Sequence, residues 1–297
     1  MADVHKKDKA VFFVNPISGG KRKNYAISLI ERYILENNFN YEIVYTRFSG
    51  DANQQVKDRF SQGIKKFVAV GGDGTINEVA SAIVNTDAIL GIIPIGSGNG
   101  LARHLKIPMN PKKALQTIQK GNILKMDYGQ INDRLFFCTT GVGFDAHIGH
   151  IFAKNEGRGF ANYIKATVSE FIRYKSERYE INLNNKTIFR DAFLITVANA
   201  SQYGNNAHIA PKAMVDDGQL EVAIMHQFPL YSAPFLGARL FLKNIDKSSY
   251  LETFSCNELT IRRKKPDVIH FDGEPGEMGE ELKIKIIPKG LNVLVGK

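Results

Sequence analysis

Residues 68–80, VAVGGDGTINEVA, set an acid, Asp73, inside a glycine loop at the end of an apolar run. Glycine loops in that position usually receive phosphates, because backbone N–H groups can approach the oxygens where no Cβ stands in the way. A carboxylate is the wrong charge for such a ligand. Two more loops of the same kind, NPISGGK at 15–21 and GSGNG at 96–100, also follow apolar runs, and three loops on one sheet edge would bracket a single crevice. Thr75 and Glu78 have the T-x-x-E spacing of a capping box, which predicts a helix beginning at Thr75 with its N–H groups turned back toward the loop. Helix N-termini attract anions. The chain has no Walker loop, and GSGNGL lacks the third glycine of G-x-G-x-x-G, so no standard nucleotide fingerprint is present.

The elements that must position these loops alternate in the first 120 or so residues. AVFFV (10–14), YEIVYT (41–46), KFVAV (66–70) and LGIIPI (90–95) read as strands, followed by helical patterns near 25–35, 52–61 and 76–84 and by LARHL. Strands separated by helices imply right-handed crossovers and a parallel sheet, with ligands at the carboxyl ends of the strands. After Gly121 the texture becomes β-rich, from NILKMDYGQI to ELKIKIIP, with helical stretches near 161–174 and 229–242. The expected domains are 1–121 and 122–297, with the option that the C-terminal tail packs back on the first.

Length fits two domains, since 297 residues exceed the size at which one core usually keeps growing. Cys138 and Cys256 have no metal-ligand spacing and read as small core residues in a reducing cytosol. The apolar run before Asn15 is too short for a signal-peptide core, and no run is long enough to span a bilayer. The expectation is a cytoplasmic protein with room for peripheral membrane contact. A net charge of +9, partly clustered at 21–23, 65–66, 112–113 and 262–265, favours polyanionic partners or else a set of solvated turns.

In order along the chain, NPISGGK, TRFSGDA (46–52), GGDGTINEV (71–79) and PIGSGNGLAR (94–103) resemble the nucleotide-binding motifs of the diacylglycerol and sphingosine kinase catalytic domain, especially that of bacterial soluble lipid kinases. The resemblance continues through APKAMVDDGQLEVAI (210–224) and FDGEP (271–275). GGDGT alone is less specific, being shared with NAD kinases and similar in 6-phosphofructokinases. The resemblance implies an α/β N-terminal domain with a parallel sheet, three-layered as in NAD kinase and phosphofructokinase. It also implies a β-rich C-terminal domain and an active site in the cleft between the two. It further implies that Asn15, Pro16, Ser18, Gly19, Thr46, Gly71, Gly72, Asp73, Gly74, Thr75, Ile76, Asn77, Glu78 and Ser97 form or support an ATP site. The charge of Asp73 then has a purpose, because Mg²⁺ prefers carboxylate, water and phosphate oxygens together. One departure is Gly100, where bacterial diacylglycerol kinases carry an Asp; GSGNG is closer to the sphingosine or ceramide kinase form.

By the same resemblance, Glu274 or Asp272 is the general base and joins Asp73 in the catalytic set; on the residues alone, Asp-Gly is also a common hairpin turn. Asp217 with the carbonyls of Met214 and Gln219 corresponds to a second, structural cation site; the alternative is another Asp-Gly turn. His147 and His150 lack a third metal ligand nearby. Asp145 is a candidate for the lipid head group, although the position that aligns with the sphingoid-binding acid is Gly149. FPLYSAPFLGARLFL (228–242), with Arg239 its one charge, either packs on the second domain, borders an acyl-chain pocket or touches a bilayer. The expected activity is ATP-dependent phosphorylation of a lipid alcohol such as diacylglycerol or a sphingoid lipid at the membrane surface, with ATP and Mg²⁺ and without nucleic acid. The rivals are an NAD kinase and a noncatalytic, nucleotide-responsive binder of anionic membranes or nucleic acid. The residues do not specify an oligomeric state.

Overall fold

The computed structural model describes residues 9–16, 20–37, 40–154, 167, 169–183 and 186–296. Its chain forms two compact units, Met1–Asp127 with Pro288–Lys297, and Tyr128–Ile287. The division falls inside a strand that begins just after Gly121.

The first unit runs β1 (Ala10–Val14), α1 (Gly20–Asn37), β2 (Tyr41–Tyr45), α2 (Asp51–Ser61), β3 (Lys66–Gly71), α3 (Asp73–Ser81), β4 (Ile89–Pro94), α4 (Gly100–His104) and α5 (Pro111–Lys120). β1 to β4 lie in the order β2-β1-β3-β4, all parallel. Every residue of β1 is buried, as are all of β3 and β4 beyond their first residues, the mark of a parallel sheet covered on both faces. Val14 stands opposite both Tyr45 and Val70, and Gly71 opposite Pro94, so four strands end at nearly one level and their loops leave side by side. Helix α5 has a start signal of its own in Asn110-Pro111: the Asn110 carboxamide oxygen accepts from the N–H groups of Lys112 and Lys113, with proline at the first helical position.

The second unit is β-rich. Its strands in chain order are β5 (Asn122–Ile131, shared with the first unit), β6 (Arg134–Phe136), β7 (Thr139–Gly143), β8 (Glu177–Leu183), β9 (Lys186–Ala192), β10 (Leu194–Ala198), β11 (Gln202–Gly204), β12 (Ala207–His208), β13 (Leu220–Met225), β14 (Leu251–Cys256), β15 (Glu258–Arg262), β16 (Asp267–Phe271), β17 (Glu274–Met278) and β18 (Glu281–Val295, which from Pro288 on belongs to the first unit, where Asn292 and Val293 pair parallel with β4). Helix α6 (Phe144–Lys154) follows β7, and α7 (Ala233–Phe241) follows a short 3₁₀ turn at Leu230–Ser232. One antiparallel sheet has the order β14-β13-β10-β7-β16-β17; β18, β15, β8 and β9 pair antiparallel in a second. Alternate residues of both, including Val142, Ile195, Val222 and Ile269 from one and Tyr179, Ile181, Ile261 and Leu282 from the other, share a core. The opposite alternation, Leu194, Ala198, Ala223 and Met225, joins a cluster built on Phe144, Phe171, Phe193 and Phe228. Of the helix expected at 161–174, residues 167 and 169–173 are helical, while 161–166 and 168 lie outside the described residues.

Both cysteines are free and buried, and burial pushes the Cys256 thiol up to about 12. The basic cluster at 262–265 is divided: Lys264 and Lys265 are exposed, whereas Arg262 and Arg263 are engaged within the unit. Arg262 pairs with Glu180 and Glu281, and Arg263 is buried, donating to the carbonyls of Asp267, Val268, Met278 and Gly279 at 2.7–3.1 Å. Arg263 thus ties the far end of the β16–β17 hairpin. Replacing Arg263 with Leu is expected to cost about 3 kcal/mol of unfolding free energy, the scale for stripping a buried hydrogen-bonded charge, measured by urea denaturation of the full chain. An unchanged midpoint contradicts this role.

Candidate active site

In the first unit the glycine loops meet backbone to backbone. A Cβ on Gly96 would fall 2.4 Å from Gly72 Cα, and one on Gly72 would fall 3.3 Å from Gly96 Cα. The loops after β3 and β4 are therefore in contact, and the N–H groups of Ile95 and Gly96 both donate to Gly71 O at 3.0 and 3.3 Å. Gly71 is needed for another reason: the Thr75 side chain folds onto it, so a Cβ there would overlap Thr75.

The helix does not start where the capping-box spacing placed it. Gly72, extended at φ −97° and ψ −167°, is the N-cap of α3 and brings no side-chain cap, Asp73 is the first helical residue, and Thr75 is buried in the first turn. Glu78 instead reaches across to α2, accepting from Gly50 N at 2.8 Å and Ala52 N at 3.2 Å. The T-x-x-E pattern is real but caps a neighbouring helix, which ties the 46–52 loop to α3. Thr46 is buried with its N–H on Val14 O, and Asn15 N–H donates to Val70 O. Asn15, Thr46, Gly72 and Gly96 thereby come from loops joined to each other by hydrogen bonds or contact. Pro16 and Ser97 are exposed beside them, and Asn77 accepts from the Ser81 hydroxyl. Ile76 is a correction: its side chain lies in the core and its N–H donates to Gly72 O, so it supports the turn and offers a ligand no donor. Ser18 and Gly19 lie outside the described residues.

Two residues here escaped the sequence reading. Asn99 sits left-handed at φ 52°, donates from Nδ2 to Gly96 O at 2.7 Å, and keeps the second loop folded; its signal was an asparagine between glycines. Asp51 is buried and receives the backbone N–H and guanidinium of Arg47. The side-chain hydrogen bond from Arg47 holds its carboxyl below the ordinary aspartate value, against the opposing effect of burial.

In the second unit, Asp272 (φ 49°) and Gly273 (φ 88°) are the two turn residues of the β16–β17 hairpin, with Phe271 paired to Glu274. Two left-handed residues make the turn type that matches strand twist. The Asp272 carboxylate accepts from the N–H groups of Phe137, Cys138 and Thr139 at 2.7–3.2 Å, so it anchors the turn to the start of β7. Glu274 is exposed. The two candidate bases thus differ in environment: Asp272 holds the turn to β7, and Glu274 stands exposed.

Asp145 is likewise engaged. Its Oδ2 accepts from the Tyr203 hydroxyl at 3.0 Å and the Thr196 hydroxyl at 3.1 Å and lies 3.2 Å from His270 Nε2, in room left by Gly141. The network holds β16 two residues before Asp272 and leaves the Asp145 side chain 15% exposed. His147 pairs with Glu170, and no group of three or more His, Cys, Asp or Glu side chains among the described residues could hold a metal. At 213–219, Ala213 and Val215 are buried while Met214, Asp217 and Gln219 are exposed; Asp217 Oδ1 accepts from Gln219 N at 3.0 Å, and Gly218 takes φ +73°. Asp217 therefore sits in an Asp-Gly turn, its carboxylate closing the turn onto Gln219 N.

A model of the diacylglycerol kinase catalytic domain matches residues 9–131, and one of the YegS C-terminal NAD kinase beta sandwich-like domain matches 138–295. The chain is a lipid kinase of the diacylglycerol kinase family. Similar curated proteins include a "Probable lipid kinase YegS-like" of Enterobacter sp. (strain 638), 29% identical over 91% of this kinase and 92% of that protein. Another of the same description, from Serratia proteamaculans (strain 568), is 27% identical over 97% and 94%. A crystal structure of a diacylglycerol kinase from Bacillus anthracis str. Sterne shares the fold at a TM-score of 0.76 and 20% identity, covering 98% of both chains.

Two outcomes test the loop geometry of the kinase. Gly96→Ala should lower the thermal midpoint more than Gly72→Ala, by about 1–3 kcal/mol in unfolding free energy, because only the former drives a Cβ into fixed backbone; equal effects contradict the contact. Asp51→Asn should destabilise at pH 7. A depressed folded-state pKa contributes stability above the unfolded value, about 4, and loses it as pH falls through the depressed value. Thermal melts of both proteins should therefore converge as the pH falls below the unfolded value and through the depressed one.

Proposed function

We propose that this lipid kinase takes ATP as its phosphoryl donor and a lipid alcohol, diacylglycerol or a sphingoid lipid, as acceptor, acting in the cytoplasm with peripheral contact at a membrane surface. The reading rests foremost on the glycine cradle formed by Gly72 and Gly96 at the start of α3. There the first-turn N–H groups point out of the helix, the helix end carries partial positive charge, and the missing Cβ atoms let the two loops pack backbone to backbone around that helix end. Asn15, Thr46, Thr75 and Ser97 add polar groups from the adjoining loops.

The donor set fits Mg²⁺ in this cradle. Asp73 supplies a carboxylate in the first turn, and the remaining positions suit water and phosphate oxygens. When bound, the ion neutralises charge developing on the transferred group. Asp217, with the Met214 and Gln219 carbonyls, is proposed to hold a second, structural cation.

In the second unit Glu274 is the proposed base. It accepts the proton of the lipid hydroxyl as the new O–P bond forms at the γ-phosphorus and the bond to the departing ADP oxygen breaks. Asp272 fixes the turn that presents it.

Glu274→Gln should lower kcat by about 10²- to 10⁴-fold, the usual worth of a positioned base, while nucleotide affinity stays unchanged. Asp73→Asn should abolish Mg²⁺-dependent transfer with the fold retained. Asp272→Asn should chiefly lower the melting temperature. A steady-state series with γ-labelled ATP decides: full activity in both Glu274→Gln and Asp73→Asn rejects the assignment, and a kcat loss confined to a fully stable Asp272→Asn transfers the base role to Asp272.

A further inference from the structure

The segment 228–243, FPLYSAPFLGARLFLK, turns its apolar side outward. Within it Phe228 and Leu236 are buried in the aromatic cluster of the second unit, with Ala233 and Leu240 partly buried against that cluster. The opposite stripe is also apolar: Tyr231 is 76% exposed, Phe235 71%, Phe241 59% and Leu242 70%, with Pro234 and Ala238 exposed between them. Phe235 and Ala238 share one face of α7, with Tyr231 in the preceding 3₁₀ turn and Phe241 and Leu242 at the helix end extending the exposed apolar surface. An ordinary surface helix would carry its charges there. Exposed apolar patches of this kind mark interaction sites.

Charge and size say what covers the stripe. From Phe228 to Lys243 the charged residues are Arg239 and Lys243, both cationic. Lys243 is exposed, and the next acid, Asp246, is paired with Lys212 at 3.2 Å with its side chain only 10% exposed. The rim of the stripe is therefore basic. A stable protein partner buries about 20–30 residues a side, whereas this stripe spans two to three turns of a helix about 14 Å long. A short apolar helical face with a basic rim suits the boundary between anionic head groups and acyl chains.

We infer that the outward face of α7, with Tyr231, Phe235, Phe241 and Leu242 as insertion residues and Lys243 at its rim, docks the kinase on an anionic phospholipid bilayer. The choice of a bilayer rests in part on the lipid acceptor of the proposed function. The docking surface shares no residue with the cradle, the Glu274 turn or the Asp217 site. No helix among the described residues is long and apolar enough to cross a membrane, so this contact is one of shallow insertion.

The test uses the full chain and two sets of vesicles, phosphatidylcholine alone and phosphatidylcholine with phosphatidylglycerol, in co-sedimentation. The wild type should bind the anionic set more tightly. A variant carrying Tyr231→Ser, Phe235→Ser and Phe241→Ser should bind it about tenfold more weakly or worse, as expected when the transfer of large apolar side chains is lost. Lys243→Gln should reduce the preference for anionic over neutral vesicles. Since the replaced side chains are exposed, the melting temperature and the phosphorylation of a short-chain, water-dispersed diacylglycerol should stay unchanged in the triple variant. Equal vesicle binding by wild type and the triple variant overturns the inference. So does a change from dimer to monomer in light scattering with vesicle binding unaltered, which would assign the face to a second copy. If the stripe governs vesicle binding but the wild type phosphorylates no lipid, the docking surface stands and the proposed acceptor falls.

Discussion

The contact between Gly72 and Gly96 is the constraint on which the candidate site depends. Two backbone segments approach so closely that a Cβ on Gly96 would land 2.4 Å from the other chain segment. That approach is possible because β3 and β4 are in register to their last residues, Gly71 against Pro94, and because Asn99 accepts a left-handed conformation to fold the second loop back. The third loop is added by Glu78, which leaves its own helix to cap α2. The proposed phosphate cradle is thus built mainly from backbone geometry. Asp73 lies in the first turn of α3, where its negative charge gains from the helix end and can serve a cation shared with phosphate.

The second unit sets a hydrogen-bonded acid and an exposed one within three residues. Asp272 accepts three backbone donors in a turn that needs two left-handed residues, and the neighbouring Asp145 network holds the strand leading into it. Glu274, one residue past the turn, is left exposed. A single Asp-Gly hairpin can therefore be both the common turn its sequence suggests and the device that presents a base.

Much of the first unit was legible because a parallel strand buried on both faces is a continuous apolar run, and each such run ended in a glycine loop. The start of α3 was misplaced because a capping-box spacing does not reveal which helix the glutamate caps. Arg263 looked like part of a basic patch because a string of cations cannot show which one will find four buried carbonyls. The Asp145–His270–Tyr203–Thr196 network joins residues far apart in sequence, so no local pattern announced it. For 228–242, composition showed an apolar segment, but only burial showed that a second apolar face looks outward. The family motifs carried the lipid-kinase reading, since GGDGT by itself is shared with enzymes that phosphorylate soluble acceptors.

The most direct test of the account is to incubate the full-length protein with γ-labelled ATP and Mg²⁺ in two parallel reactions, one with a bacterial lipid extract dispersed as vesicles and one with NAD. The account predicts label in a chloroform-soluble product that is sensitive to phosphatase, and none transferred to NAD. Label on NAD with no labelled lipid, or no transfer in either reaction, would contradict it.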